Sequence, residues 1–291
     1  MIKIENKSKP PWLKKRLPPF EDLVKVKSIL DSAQLHTVCE EARCPNLGEC
    51  FSKGTATLLI LGRICTRNCG FCAVAHGVSA PLDEEEPKKV AQAVIKMGLQ
   101  YVVITSVTRD DLPDGGASHF AKTIQAIRAL DRGIRIEVLI PDFKGDLSSL
   151  VTVLKEDPDV LNHNIETIPR LYPEARPQAD YRRSLDLLKR AKEKDPRAVT
   201  KSGFMLGLGE TEKEVYSLLQ DLSEVGCDFL TIGQYLQPRP DRLPVVRYIS
   251  PGEFEAYKKA GEEIGFKSVA SGPFVRSSFH AAQMFENMAI E

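Results

Sequence analysis

The sequence predicts an α/β fold: a partial, six-unit β/α barrel of the TIM type with an extension at each end. The chain of 291 residues is long enough for one large α/β domain. From residue 56 onward, six short β-rich runs alternate with segments of helical periodicity, which favours a parallel sheet with right-handed crossovers. A closed barrel needs eight such units, so six would leave a lateral gap. A doubly wound sheet is the alternative that periodicity leaves open.

Each predicted strand is a short run rich in β-branched and aliphatic residues. The six strands are Ala56–Leu61, Tyr101–Val107, Ile134–Ile140, Val160–Ile165, Ser202–Leu208 and Phe229–Tyr235. Apolar residues at helical spacing predict helices over residues 23–30, 90–97, 124–130, 147–154, 185–191 and 215–222.

Helix boundaries are marked by capping signals. Thr211-x-x-Glu214 is a capping box, and Gly226 stands where that helix should end. Ser250-Pro251-x-Glu253 and Gly265 delimit the last predicted helix in the same way. The first twenty residues are rich in proline and lysine and predict an extended arm, with Trp12 as a candidate anchor.

Composition excludes several classes of protein. Lysine plus arginine equals aspartate plus glutamate at 40 each, which argues against a dedicated nucleic-acid surface. No apolar run reaches the length of a membrane span, and the N-terminus resembles neither a secretory signal nor a transit peptide. Seven cysteines in short spacings favour metal binding over a disulfide scaffold. We therefore expect a cytoplasmic protein.

Six of the seven cysteines form two triplets. The first triplet is Cys39, Cys44 and Cys50, and the second triplet is Cys65, Cys69 and Cys72. Three thiolates are one fewer than a closed iron–sulfur or zinc site takes, so each triplet predicts a cluster with an open, reactive position. A zinc knuckle and a non-enzymatic electron carrier are the alternatives, and both normally have four ligands.

The second triplet follows the first predicted strand, and an aromatic residue, Phe71, precedes its last cysteine. This C-x3-C-x2-C arrangement resembles the radical S-adenosylmethionine superfamily. The resemblance implies a [4Fe–4S] cluster whose open iron binds the methionine moiety of S-adenosylmethionine, and from which a 5′-deoxyadenosyl radical is generated.

The first triplet, in "TVCEEARCPNLGECF", resembles the lipoyl synthase family, and the likeness continues through "SVTRDDLPDGGASHF", "LNHNIETIPRLY", "TKSGFMLGLGET" and "SGPFVRSSFHA". It implies a second, auxiliary [4Fe–4S] cluster held by the first triplet and Ser278, with Ser277 the less favoured choice. The chain would then divide into an N-terminal extension with the auxiliary cysteines (1–54), the barrel (55–250) and a C-terminal extension that folds back to the auxiliary cluster (251–291).

The implied reaction inserts two sulfur atoms, at C6 and C8 of an octanoyl chain on a lysine, with the auxiliary cluster as sulfur donor. The implied partners are octanoylated lipoyl carrier domains (E2 subunits of 2-oxoacid dehydrogenases and the H protein of glycine cleavage), an electron donor such as ferredoxin or flavodoxin, and iron–sulfur assembly or repair proteins. Another radical sulfur-inserting enzyme, of the biotin synthase or tRNA-methylthiolating kind, is the alternative.

The remaining candidates are polar or aromatic residues at the ends of predicted strands. The resemblance implies S-adenosylmethionine contacts for Phe71, Ser106, Asn164, Glu166 and Lys201, and substrate or cluster support for Arg276 and Ser277. Without it, His163, Asn164 and Glu166 would be read as satisfied polar residues of the barrel interior.

Three further patterns carry little chemistry, and two positions depart from the family pattern. Pro113 prevents the aspartates of "DDLPD" from sharing a helix face. "GLG" at 207–209 lacks the rest of a phosphate loop, and Cys227 is expected in the core. The departures are Phe279, where tyrosine is usual, and the segment Arg239–Arg242, where histidines are usual.

Overall fold

A computed structural model describes residues 9–14, 20–52 and 56–288. Much of the predicted N-terminal arm lies outside these ranges. Within them, Pro11–Leu13 forms a single 3₁₀ turn with Leu13 buried. The indole nitrogen of Trp12 donates a hydrogen bond to the Ile249 carbonyl at 3.2 Å, so Trp12 ties the arm to the body of the protein.

Ten strands are present in the described part of the chain. They are β1 His36–Thr37, β2 Thr57–Ile60, β3 Ile64–Cys65, β4 Ala75–His76, β5 Tyr101–Ser106, β6 Arg135–Leu139, β7 Val160–Asn162, β8 Thr200–Leu206, β9 Phe229–Gln234 and β10 Ser268–Gly272. Eight of them form one sheet in the order β1-β2-β5-β6-β7-β8-β9-β10, and β3 pairs with β4 in a separate ribbon.

The fold prediction is confirmed, with an addition at each edge. All six predicted strands are present and pair in parallel, but β10 adds a seventh parallel strand beside β9. Its sequence, SVASG, lacks the apolar run that marks the other strands. At the other edge β1 pairs antiparallel with β2. Edge strands β1 and β10 do not pair with each other among the described residues, so the barrel is open.

Eleven α-helices lie in the described ranges. They are α1 Phe20–Ala33, α2 Val38–Glu41, α3 Leu47–Ser52, α4 Glu86–Met97, α5 Ala117–Leu130, α6 Leu147–Leu154, α7 Tyr172–Ala175, α8 Tyr181–Lys194, α9 Glu212–Glu224, α10 Pro251–Ile264 and α11 Ala281–Met288. Both predicted capping boxes are present, at Thr211 and Ser250. The prediction that α10 is the last helix is wrong, because α11 follows it.

Helix α11 closes the amino-terminal end of the barrel. Met284 packs with Val160 and Phe229, the first residues of β7 and β9. The ring of Phe285 lies 6.0 Å from that of Tyr101. Helix α11 thus covers part of the amino-terminal end with apolar side chains, whereas the carboxyl ends of the strands are the end at which β/α barrels place their active sites.

Candidate active site

The second triplet follows β2 at the carboxyl end of the sheet. Leu61 and Gly62 both have positive φ, which turns the chain out of β2. The sulfur of Cys65 then accepts hydrogen bonds from the Arg67 and Thr108 backbone nitrogens at 3.4 and 3.3 Å. The Cys72 nitrogen donates to the Cys69 carbonyl at 3.1 Å, which closes the loop into a compact turn.

Arg67 fastens this loop to the neighbouring strands. Its buried guanidinium donates two hydrogen bonds to Asp110 at 2.7 and 2.9 Å and one to Asp142 at 2.6 Å. Burial alone would raise the pKa of Asp142, but Arg67 holds that pKa well below its usual range. The loop that carries the second triplet is thus held by a buried, charge-assisted network.

Arg242 holds the same loop from the other side. Its guanidinium donates to the Asn68 side chain at 2.6 Å and to the Cys69 carbonyl at 3.5 Å. The segment Arg239–Arg242, which departs from the family pattern, therefore contacts the cysteine loop directly. In this loop, position 70 requires glycine, because a Cβ there would lie 2.6 Å from the Glu174 carbonyl oxygen.

The thiols of the second triplet fit an iron–sulfur cluster by donor type and mutual proximity. Burial raises the pKa of Cys69 to about 11 and that of Cys72 to about 12, and charge on neighbouring thiols of the triplet adds to both shifts. Metal cations stabilise the thiolate form that such sites need. No three His, Cys, Asp or Glu side chains within the described ranges converge tightly enough for a single metal ion. In a [4Fe–4S] cluster each thiolate binds a different iron.

The first triplet lies at the opposite, amino-terminal end of β2. Antiparallel pairing sets Thr37 opposite Leu58, so the chain beyond β1 reaches the start of β2. Thr37 accepts a hydrogen bond from the Glu40 nitrogen and begins α2, which contains Cys39. The Cys44 nitrogen donates to the Cys39 carbonyl at 2.9 Å, and Cys50 lies in α3.

The C-terminal chain returns to the first triplet. We call residues Gly272–His280 the return segment. Its Phe274 carbonyl accepts a hydrogen bond from the Asn46 side chain at 2.7 Å, and the Ser278 hydroxyl accepts one from the Thr57 hydroxyl at 2.7 Å. Ser278 lines a cavity of about 170 Å³ together with Cys39, Cys50 and Thr57.

The two adjacent serines of the return segment point to different places. Ser278 lies against the first triplet, whereas the Ser277 hydroxyl donates to the Asn164 side-chain oxygen at 2.7 Å. Asn164 in turn donates to the Glu166 carboxylate at 3.1 Å. Glu166 has a φ of 68°, a strained value typical of functional sites, and burial raises its pKa while Arg176 opposes that rise.

The other candidate cofactor contacts lie in different surroundings. The Ser106 hydroxyl, at the carboxyl end of β5, is buried and has no hydrogen-bond partner in the described structure, a condition that a polar ligand would relieve. Phe71 packs partly buried against the core cluster of α8 to α10. Lys201 is fully buried and pairs with Glu137 at 3.0 Å. The role of all three as S-adenosylmethionine contacts stays a prediction.

Arg276 lies beside the first triplet. Burial lowers its pKa and the charge of Cys44 counteracts that effect. One guanidinium nitrogen donates to the Val275 carbonyl at 2.6 Å. A Cβ at Gly233, near the end of β9, would lie 2.2 Å from that carbonyl oxygen, so the glycine lets the return segment cross the sheet closely.

Sequence reasoning missed Thr57, Arg67 and Arg176, and it noted Arg242 only as part of a segment that departs from the family pattern. Arg176 is buried and donates to the Asn164 carbonyl at 3.0 Å. Burial opposes its charge, but Tyr172, Glu166 and Cys69 outweigh that effect and raise its pKa. Surface lysines and arginines are common, so nothing in the sequence distinguished these cations from solvated ones.

The aspartates of the "DDLPD" pattern, for which the sequence predicted no metal role, have structural roles. Asp110 pairs with Arg67, Asp111 pairs with Arg109, and Asp114 accepts hydrogen bonds from the Gly116 and Ser118 nitrogens before α5.

Cys227 is buried, as predicted, and burial raises its pKa. All seven cysteines lie in the described ranges, and none of them forms a disulfide. In the described part of the chain, we find no helix that is both long and apolar enough to span a bilayer.

Two family profiles match the sequence. Residues 59–222 match the radical SAM superfamily, and residues 1–44 match the N-terminal domain of lipoyl synthase of that family. Among curated proteins, the lipoyl synthase of Caldanaerobacter subterraneus subsp. tengcongensis is 56% identical over 94% of this chain and 95% of its own. That of Rubrobacter xylanophilus is 58% identical over 96% and 87% of the two chains.

Solved structures share the fold at low sequence identity. SuiB from Streptococcus suis, bound to the precursor peptide SuiA, aligns with a TM-score of 0.58 at 12% identity, over 92% of this chain and 58% of its own. HydG, a maturase of the [FeFe]-hydrogenase, aligns with a TM-score of 0.55 at 17% identity, over 86% and 70% of the two chains. These likenesses concern the architecture alone.

Proposed function

This chain belongs to the lipoyl synthases of the radical SAM superfamily, and we propose that its two triplets divide the work of that reaction. The second triplet holds the [4Fe–4S] cluster that binds S-adenosylmethionine. The first triplet, completed by Ser278, holds the auxiliary [4Fe–4S] cluster. The enzyme is a radical SAM sulfurtransferase that inserts two sulfur atoms, at C6 and C8, into a lysine-bound octanoyl chain.

Sulfur insertion at an unactivated methylene cannot begin by acid–base chemistry, because such a carbon has no acidic proton. When bound, S-adenosylmethionine and its cluster supply the hydrogen-abstracting radical, and the auxiliary cluster supplies the sulfur. The protein orients the reacting groups and excludes water from them. Arg67 and Arg242 fix the cysteine loop, while Asn164 and Glu166 offer polar contacts between that loop and the return segment.

The observation that carries this proposal is the placement of Ser278. A hydroxyl on the return segment, more than 200 residues from the first triplet in sequence, lines the same cavity as Cys39 and Cys50. An oxygen donor is harder than a thiolate and is more easily displaced from iron. That property suits a cluster that must release sulfur.

The substrate is an octanoylated lipoyl carrier protein. At the level of individual partners, we propose E2 subunits of 2-oxoacid dehydrogenases and the H protein of glycine cleavage as carriers. Ferredoxin or flavodoxin is the proposed electron donor, and an iron–sulfur assembly or repair protein restores the auxiliary cluster.

Anaerobic turnover with an octanoyl-lysine peptide tests the function. Reconstituted protein should convert the peptide to its lipoyl form and should stop near one product per enzyme, because the auxiliary cluster is consumed. Sustained turnover by purified protein, with sulfide and repair proteins excluded, would show that the sulfur comes from elsewhere. Absence of any carbon–sulfur bond formation, despite S-adenosylmethionine cleavage, would contradict the function itself.

A further inference from the structure

Thr57 occupies a position to which neither the sequence motifs nor the family likeness assigns a role. It is the first residue of β2 and is 5% exposed. Its neighbours in the sheet are fixed on both sides: Thr57 pairs with Val103 of β5, and the next residue, Leu58, pairs with Thr37 of β1. A β-branched side chain in such a strand has little rotameric freedom. The Thr57 hydroxyl is therefore held in place by the sheet.

This hydroxyl lies between two candidate ligands of the auxiliary cluster. It donates to the Ser278 oxygen at 2.7 Å. Cys39 is close enough for Thr57 to counteract the rise in the pKa of Cys39 that burial causes. One cavity is lined by all four of these residues: Thr57, Cys39, Cys50 and Ser278.

A hydroxyl carries a single hydrogen, which can serve only one acceptor fully at a time. In the structure, the Thr57 hydroxyl directs this hydrogen to the Ser278 oxygen. When a serine binds iron, its oxygen carries negative charge. An O–H donor to an anionic oxygen makes a short, charge-assisted hydrogen bond that is stronger than one between neutral groups.

We propose that Thr57 is a positioning residue of the auxiliary site: it donates a hydrogen bond to Ser278 and thereby holds that serine on the cluster until sulfur is released. This inference rests on the proposed function, in which Ser278 is the fourth ligand. It assigns Thr57 no contact with substrate and no part in S-adenosylmethionine cleavage.

The test measures how fast EDTA removes iron from the auxiliary cluster of the fully loaded holoenzyme. S-adenosylmethionine is present to cover the open iron of the other cluster, and Mössbauer spectroscopy identifies which cluster loses iron. Thr57→Val, which keeps the shape and removes the hydroxyl, should accelerate this loss about tenfold or more, the factor expected for one hydrogen bond to a charged group. Thr57→Ser should restore the wild-type rate.

Thr123→Val is the matched control. Thr123 is also a fully buried threonine, but its hydroxyl donates to the His119 carbonyl within α5, away from both triplets. This variant should release iron at the wild-type rate. If Thr57→Val does not fold, Thr57→Ala removes the same hydroxyl, and the extent of S-adenosylmethionine cleavage reports whether the barrel is intact.

A double-mutant cycle shows whether Thr57 acts through Ser278. Ser278→Ala alone should release iron faster than wild type, and adding Thr57→Val should give no further increase. Additive effects would mean that Thr57 acts through Cys39 instead, which would overturn the inference while leaving the proposed function intact. A wild-type rate for Thr57→Val would overturn it in the same way. If Ser278→Ala itself has no effect, the serine ligand and this inference both fail.

Discussion

The two cysteine triplets lie at opposite ends of the same short strand, yet the protein builds them in different ways. Strand β2 has four residues, a length of about 10 Å at ~3.3 Å per residue. At its carboxyl end, the second triplet lies in one local loop that ion pairs of the buried Arg67 hold to the segments following β5 and β6. At its amino end, the region around the first triplet is held by hydrogen bonds to the return segment, which is distant in sequence.

This difference suits the two tasks that we propose for the triplets. A site that cleaves S-adenosylmethionine repeatedly needs a permanent geometry, and charge-assisted hydrogen bonds in a buried network provide it. A site whose cluster is consumed must open and be rebuilt. A few hydrogen bonds to the return segment, without an ion-pair network, allow that, because each contributes little once the serine oxygen has left the cluster and is neutral, about 1 kcal/mol.

The largest effect should come from removing either triplet as a whole. Changing Cys65, Cys69 and Cys72 together to Ala should abolish S-adenosylmethionine cleavage and leave about half of the iron, since one of the two clusters remains. The same change at Cys39, Cys44 and Cys50 should keep cleavage to 5′-deoxyadenosine and form no carbon–sulfur bond. Iron content and product analysis by mass spectrometry measure both. If the second variant still made lipoyl product, the first triplet would not hold the sulfur donor.

Variants of Ser278 should change only the auxiliary site. Ser278→Ala should leave one iron open to added ligands and depress product formation, with S-adenosylmethionine cleavage largely kept. Ser278→Cys should hold the cluster more tightly and slow the release of sulfur, because iron prefers thiolate to hydroxyl. Mössbauer spectra and single-turnover rates test this. Ser277→Ala is the comparison, and an auxiliary spectrum altered by that change instead would transfer the ligand role to Ser277.

A matched pair of variants compares the anchors of the two triplets. Arg67→Met leaves Asp142 buried without its main partner and should cost about 3–5 kcal/mol of stability. Asn46→Ala removes a hydrogen bond to the return segment and should cost about 1 kcal/mol. Urea unfolding of the cluster-free protein measures both. Adding Asp142→Asn to Arg67→Met should recover part of the loss. Equal costs for the two single variants would contradict the contrast between a rigid and a loosely held site.

The last effect leaves the protein unchanged at neutral pH and concerns its acid stability near the second triplet. His163 is buried, and burial lowers its pKa from 6.5 to about 4. Because the unfolded chain binds the proton more readily, this contribution to stability is complete above pH 6.5 and is lost as the pH falls towards 4. At 1.36 kcal/mol per pKa unit, the loss reaches ~3 kcal/mol for wild type. His163→Gln should flatten that slope in urea titrations at a series of pH values.

Hydrogen exchange shows which part of the chain loses stability when His163 is protonated. His163 bonds to the Ile140 carbonyl and the Ser184 hydroxyl, and the charge of Asp142 acts on it. Protection in residues 61–77 should therefore fall at pH 5, while protection in residues 38–52 changes little. Loss of protection in residues 38–52 first would place the acid-sensitive region at the other triplet.

The sequence by itself determined what is local or periodic. Six strands, the helix caps at Thr211 and Ser250, the burial of Cys227 and the composition of both triplets follow from spacing and residue type, because each depends on neighbours within a few residues. Strand β10 could not be found in that way. Its small and polar residues carry no strand signal, and only the exposed edge of β9 makes them a strand.

The tertiary structure decided which distant groups meet. The sequence could place Ser277 and Ser278 in one motif, but only the path of the return segment separates them, one towards Asn164 and the other towards Thr57. Likewise, nothing in the sequence distinguished Arg67, Arg176 and Arg242 from surface cations until the fold buried them beside the second triplet. Contacts between residues 100 or more positions apart depend on how the whole chain packs, and burial, which gives those contacts their strength, exists only in the folded protein.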